Sequence, residues 1–187
     1  MSHRATPSPL PSSGRLAPRW SVSAQAVAPG PPASIAGLGI VNPPSFVVTD
    51  ALNRRLGNRR AVARELTNLG SVETRAGNLE RAHELCSEAL RIAVELDNAH
   101  LITYCVINLA GVASAGGDHI RAARLLGAGE AMLDASGMTL NPGTAIEYER
   151  HVTRTQTALG DADYAQALES GRTLDRKAIV AFALGTP

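Results

Sequence analysis

The side chains with the widest chemical reach are the two cysteines and the histidines and carboxylates beside them. His83 and Cys86, with Glu84 between them, stand at a spacing that zinc ligands use, and His100 and Cys105 make a looser pair. A closed zinc centre needs four such ligands, and no second pair follows at ligand spacing. Cys86 also falls on the apolar face of a predicted helix while His83 falls off it. A Cys–His nucleophile would need an oriented base and an oxyanion hole, and nothing nearby supplies either. Glu147 and Glu149 point apart on a helix, and Asp161 and Asp163 read as helix-start charges. No G-x-x-x-x-G-K-[ST] is present, and Lys177, the one lysine, follows no glycine-rich turn. The expectation is a chain with no catalytic residues, no metal ligands and no cofactor.

One constellation carries a binding chemistry instead. Arg64, Asn68, Ser71 and Arg75 recur at steps of four, three and four, which places them on one stripe of a helix. Forty residues on, the same offsets give Tyr104, Asn108, Gly111 and Ala115. Guanidinium and carboxamide groups suit a carboxylate or a peptide backbone. A merely solvated helix face would show the same pattern.

The offset of forty is a property of the chain. Asn68-Leu69-Gly70-Ser71-Val72 returns as Asn108-Leu109-Ala110-Gly111-Val112, and Gly77, Arg81 and Ala82 return as Gly117, Arg121 and Ala122. Each copy reads as a helix, a Gly-Asn or Gly-Asp break and a second helix, the unit of an α-solenoid. Asn58 caps a helix over 59–76, whose stripe is Val62, Leu66, Leu69, Val72 and Ala76. Gly77 ends it by adopting positive φ, and Asn78 caps a helix over 79–96. After Asp97-Asn98 come helices over 99–115 and 119–136, separated by Gly116-Gly117-Asp118. Gly127 and Gly129 inside the latter each cost about 1 kcal/mol against Ala, which close helix packing would explain. Met138–Gly143 reads as a linker. Thr144 with Glu147 forms a capping box that opens a helix over 145–158. Gly160-Asp161 repeats the stop and cap before a helix ending near Gly171, and Asp175 caps a last one.

Of eleven prolines, nine fall within residues 1–46, where they forbid helix interiors and ladder hydrogen bonds. That segment is expected to be a disordered Pro/Ser/Ala/Arg-rich tail, with a helical repeat domain over 47–187 and a short helix from Thr49 to Leu56. Arg4, Arg15, Arg19, Arg54, Arg55, Arg59 and Arg60 face one acid, Asp50, in the first sixty residues, so the body is net acidic. That balance does not suit a nucleic-acid-binding body. No apolar run approaches a membrane span and no secretory signal opens the chain. With Cys86 and Cys105 read as buried free thiols, the expected location is cytoplasmic.

Leu69-Gly70 followed by Gly77, Ala82 and Ala89 resembles the tetratricopeptide pattern, with Cys86 where an aromatic is usual and a period longer than the usual ~34. Arg121–Leu133, Glu147-Tyr148-Glu149-Arg150, Ala158-Leu159-Gly160, Gly171-Arg172 and Ala178–Leu184 follow in order. Together they resemble the C-terminal repeat region of large bacterial LuxR-type or adenylate-cyclase-linked regulators with a nucleotide-binding signalling core. The likeness covers about 50–184, and the family's catalytic and DNA-reading residues are absent. It implies an all-α fold, a tetratricopeptide-like α-solenoid of antiparallel helix hairpins with a disordered N-terminal tail. In such stacks the first helix of each unit lines a groove. Arg64, Asn68, Ser71, Arg75, Tyr104 and Asn108 are then peptide-groove candidates.

The expected function is a non-enzymatic interaction or sensory scaffold module, with a protein or peptide partner and no direct nucleic acid or membrane. The alternative is an orphaned remnant of such a regulator without present activity. A helix of about seven residues before Asn58 is too short to cover the next two, so the front end is expected to expose apolar surface. That leads to a homodimer through the N-terminal side or to marginal stability.

Overall fold

The computed structural model describes residues 57–185. The tail over 1–46, its boundary and the helix expected from Thr49 to Leu56 lie outside the described residues. Among those described the chain is helical, without a strand: α1 (Arg59–Ala76), α2 (Leu79–Glu95), α3 (Ala99–Ala115), α4 (His119–Ser136), α5 (Pro142–Leu159), α6 (Asp161–Arg172) and α7 (Arg176–Leu184).

The local signals explain most of the boundaries. Gly77 and Gly117 both sit at φ 84°, a left-handed backbone that a Cβ would oppose. Asn58, Asn98 and Asp118 accept from the backbone N–H of Ala61, Leu101 and Arg121 at 3.1–3.2 Å, and Asp175 accepts from Ala178 at 2.7 Å. Asn78 stands at the N-cap of α2 but does not cap with its side chain, which donates to Glu73 at 2.7 Å instead. α5 starts earlier than the capping box at Thr144 implies. Asn141 accepts from Thr144 N–H at 3.0 Å, and Pro142 at the first helical position has no N–H to satisfy. Glu147 is thereby released from capping. Gly160, at φ 80°, both closes α5 and opens α6, and the Asp161 carboxylate accepts from Gln156 at 2.7 Å rather than capping.

Contacts fix the helix directions. Arg59 of α1 pairs with Glu95 of α2, while Gly70 of α1 lies against Cys86. Rising numbers on one helix meet falling numbers on the other, so the pair is antiparallel. Leu79 at the start of α2 meets Gly116 after the end of α3, which gives the same relation for α2 and α3. Across the odd-numbered helices the order is parallel. Thr67 of α1 meets Cys105 of α3 at 3.4 Å. Tyr104, Gly111 and Ser114 of α3 meet Asn141, His151 and Thr155 in the α5 segment in rising order.

The buried side of α1 differs from the predicted stripe. Val62 and Leu66 are buried, but Leu69 and Val72 are half-buried and Ala76 is exposed. Ala63, Thr67 and Gly70 complete the buried side instead. Thr67 tolerates burial because its hydroxyl donates to Ala63 O at 2.8 Å. A Cβ at Gly70 would overlap Sγ of Cys86, so the glycine makes room for the thiol. The large exposed hydrophobics are Val94, Leu96, Ile120 and Ile146, none of them on α1. On the first hairpin the large side chains of α1 turn onto α2 and α3, and the exposed large hydrophobics, Val94 and Leu96, stand at the end of α2.

α6 breaks the pattern of hairpins. It packs chiefly on α4, with far less contact to its sequence neighbour α5. A Cβ at Gly127 would land on the Leu168 carbonyl, and one at Gly171 on the Arg124 carbonyl. The two backbones therefore cross in direct contact, each through the other's glycine. Arg172 secures the crossing, donating to Glu130 at 2.7 Å and to Asp134 at 2.9 Å. Tyr148 of α5 donates to the other oxygen of Glu130 at 2.8 Å, tying three helices to one carboxylate. α7 returns over α2, α3 and α4. Arg121 donates to the carbonyls of Phe182 and Ala183, and Arg124 lies 4.3 Å from the Phe182 ring centroid.

Candidate functional site

Of the sequence-derived candidates, Arg75 of α1 and Tyr104 of α3 meet the α5 segment. Arg75 Nη1 lies 3.7 Å from Glu147 Oε1, so α1 reaches α5 across α3. Glu147 also accepts from Arg150 at 2.9 Å. The floor between them belongs to α3. Gly111 has no side chain, and the His151 imidazole fills the space, with Nε2 2.5 Å from where a Cβ would stand. The Tyr104 hydroxyl accepts from Asn141 at 3.4 Å, and its ring stacks on His100 with centroids 5.4 Å apart. Asn108 donates to the Tyr104 carbonyl at 2.9 Å within its own helix, which leaves its Oδ1 for another partner.

Arg64, Asn68 and Arg75 are exposed; Ser71, Tyr104 and Asn108 are half-buried. Among the described residues the ion-pair partner of Arg64 is the neighbouring Glu65 carboxylate, at 3.4 Å. The fold therefore brings Arg75, Tyr104 and the Gly111 stripe to α5, while Arg64 and Asn68 stay in solvent. Glu147 and His151 are the residues that sequence reasoning missed. A signal existed: Gly160 follows Gly117 by forty-three residues, and the same step carries Tyr104 to Glu147 and Asn108 to His151.

Burial lowers the His151 pKa below 6.5, and Arg154 and Arg150 act in the same direction against the attraction of Glu147. The imidazole is held neutral between two helices. Its place is a wedge.

The residues considered for metal or nucleophile chemistry do not assemble. Cys86 and Cys105 are fully buried and unpaired, while His100 is exposed and His83 half-buried. Burial raises the Cys86 thiol pKa far above its ordinary value and pushes that of Cys105 up to about 12, Thr67 offsetting part of the latter. Thiols so protonated are poor nucleophiles. Among the described residues no three of His, Cys, Asp and Glu form a metal-holding group. No helix of the described residues is long and apolar enough to cross a membrane.

No family model matches the chain, and no solved structure does. Curated proteins that match carry the name of candidate HTH-type transcriptional regulators, one from Mycobacterium bovis and two from strains of Mycobacterium tuberculosis. Each is 31% identical over 134 residues, which is 72% of this chain and 15% of the relative. The chain is similar to one part of these regulators. It spans about 15% of the length of the curated relatives it matches.

Proposed function

We propose that the chain is a non-enzymatic protein–protein interaction module of a transcriptional regulator. In this reading it is a tetratricopeptide-like α-solenoid whose α1–α3–α5 face takes an extended peptide. The regulator is of the LuxR type, and the module works in the cytoplasm without cofactor, direct nucleic acid contact or membrane. The observation that carries the reading is the repeated parallel step: α3 lies along α1, and α5 along α3, in the same direction and at nearly the same offset, which supports a common polar face. Regulator relatives supply the context. Toward one end of that face Arg64 and Asn68 are exposed, Arg64 beside the Glu65 carboxylate, and toward the other Arg75 pairs with Glu147.

The partner is a peptide segment that brings carboxylates, through acidic side chains or its own C-terminus. The test immobilises the full chain and screens it against a peptide library with free or amidated C-termini. Binders are expected to carry carboxylates, and Arg64→Ala combined with Arg75→Ala should weaken them by about 1–3 kcal/mol, roughly 5- to 150-fold. Unchanged affinity in the double variant would reduce the stripe to a solvated helix surface.

A further inference from the structure

Among the described helices α7 is the most lightly seated. It has nine residues, too few for a helix to persist in water without tertiary support. Ile179 and Ala183 are its buried residues, one turn apart, and its other side chains are half-buried or exposed. Thr173, Leu174 and Asp175 alone join it to α6. Its contacts are divided among α2, α3 and α4, so no one helix provides its seat.

The fastenings sit at its two ends and differ in strength. At the start Arg176 meets Asp97 at 2.6 Å, but both side chains stand largely in solvent, where such a pair contributes little. At the other end Arg121 of α4 donates to the carbonyls of Phe182 and Ala183 at 2.8 and 3.0 Å. Carbonyls of a last turn are short of donors within their own helix. The same guanidinium lies 5.1 Å from the Phe182 ring centroid, and that of Arg124 lies 4.3 Å from it. Two cations thus hold one ring and two carbonyls. The hydrogen bonds of the Arg121 side chain to described residues go to α7, while its backbone N–H stays with the Asp118 cap. The fit is imperfect at this end. Arg124 Nε is buried without a hydrogen-bond partner among the described residues, a penalty that water would relieve once Phe182 moved away.

We propose that α7 is a strap that lifts from α2, α3 and α4 as a unit while α1 to α6 stay folded, with Arg121 as its latch. A segment with few buried side chains and one firm fastening opens at a lower free energy than the core. Off its seat so short a helix unwinds, so lifting and unwinding are one event. Opening bares the guanidiniums of Arg121 and Arg124 and the seat of Ile179 and Ala183. The device does not depend on peptide binding by the α1–α3–α5 face.

Native-state hydrogen exchange of the full chain, read amide by amide in rising sub-denaturing urea, tests it. The amides of residues 179–185 are expected to exchange roughly 100-fold faster than those of Val106 and Ile107 in α3, at a rate that low urea barely changes. Arg121→Gln and Phe182→Ala should each speed the strap amides by about tenfold and leave the α3 amides unmoved. Arg176→Ala, which breaks an exposed pair, should change them less. Strap amides that exchange only together with α3 overturn the proposal. So does an Arg121→Gln strap no looser than the wild type, a variant that speeds α3 and α7 alike, or a larger effect from Arg176→Ala than from Arg121→Gln.

Discussion

Replacing Gly127 with alanine tests the crossing of α4 and α6. In an ordinary exposed helix the change would stabilise by about 1 kcal/mol, since alanine is the better helix former. Here the new methyl falls on the Leu168 carbonyl, which is backbone and cannot swing aside as a side chain would. The helices must separate, and overpacking of this kind costs about 1–3 kcal/mol. Rigid backbone on both sides places the cost near the upper figure, ~3 kcal/mol, and the propensity gain returns ~1 kcal/mol. A net loss of about 2 kcal/mol follows, before any weakening of the Arg172 bonds to Glu130 and Asp134. Gly171→Ala meets the Arg124 carbonyl and should cost as much. Gly129→Ala is the comparison, because its nearest neighbour is the Ile107 side chain at 2.9 Å, which can turn away. Urea denaturation followed by circular dichroism gives the differences, and a 2 kcal/mol loss corresponds to a melting shift of roughly 4–16 °C. If Gly127→Ala proves as stable as the wild type, the backbones do not touch there and the account of α6 fails.

The thiols and the histidine wedge give two further expectations. Cys86 and Cys105 should resist a bulky thiol reagent in the native protein and react at once in denaturant, because both are buried and protonated. Rapid native labelling of both would refute this. His151 has a folded pKa below its unfolded 6.5, so the unfolded chain binds more protons between the two values. Its contribution is fully present above pH ~6.5 and is lost as pH falls through the folded value. Stability measured from pH 7.5 to 5 should decline in a part that His151→Gln removes. An unaltered slope would show that the imidazole does not feel its burial.

The parts of the fold that were legible in the sequence rest on local chemistry. Gly77 and Gly117 mark turns because positive φ is a requirement of the residue itself, and Asn58, Asp118 and Asp175 cap because their side chains reach only a few bonds away. Gly127 could be read as a contact point, but Gly171 as its counterpart could not, since nothing local links residues that meet only through the tertiary fold. The start of α5 was misplaced although Asn141-Pro142 is a cap followed by a favoured first residue; two adjacent start signals competed, and the earlier one won. Of the candidate face, the α1 and α3 stripes followed from the forty-residue offset. Glu147 and His151 stayed hidden because that offset lengthens to forty-three at the third copy. The buried side of α1 departs from the stripe that periodicity gives, because Gly70 and Thr67 pack as core only once Cys86 and Cys105 arrive.

The seating of Gly127 on the Leu168 carbonyl and of Gly171 on the Arg124 carbonyl also bears on how this chain could be lengthened. Helices added at a constant step leave each new pair ready to receive the next, so such a row has no intrinsic length. By lying across α4, α6 occupies a place that the regular step would not give it, and a copy appended beyond it would inherit no matching seat. A repeat inserted near Asp97, between α2 and α3, is expected to leave the contact of α4 with α6 intact, whereas one inserted after α5 would have to break it. The crossing acts as a full stop written in two residues that have no side chain.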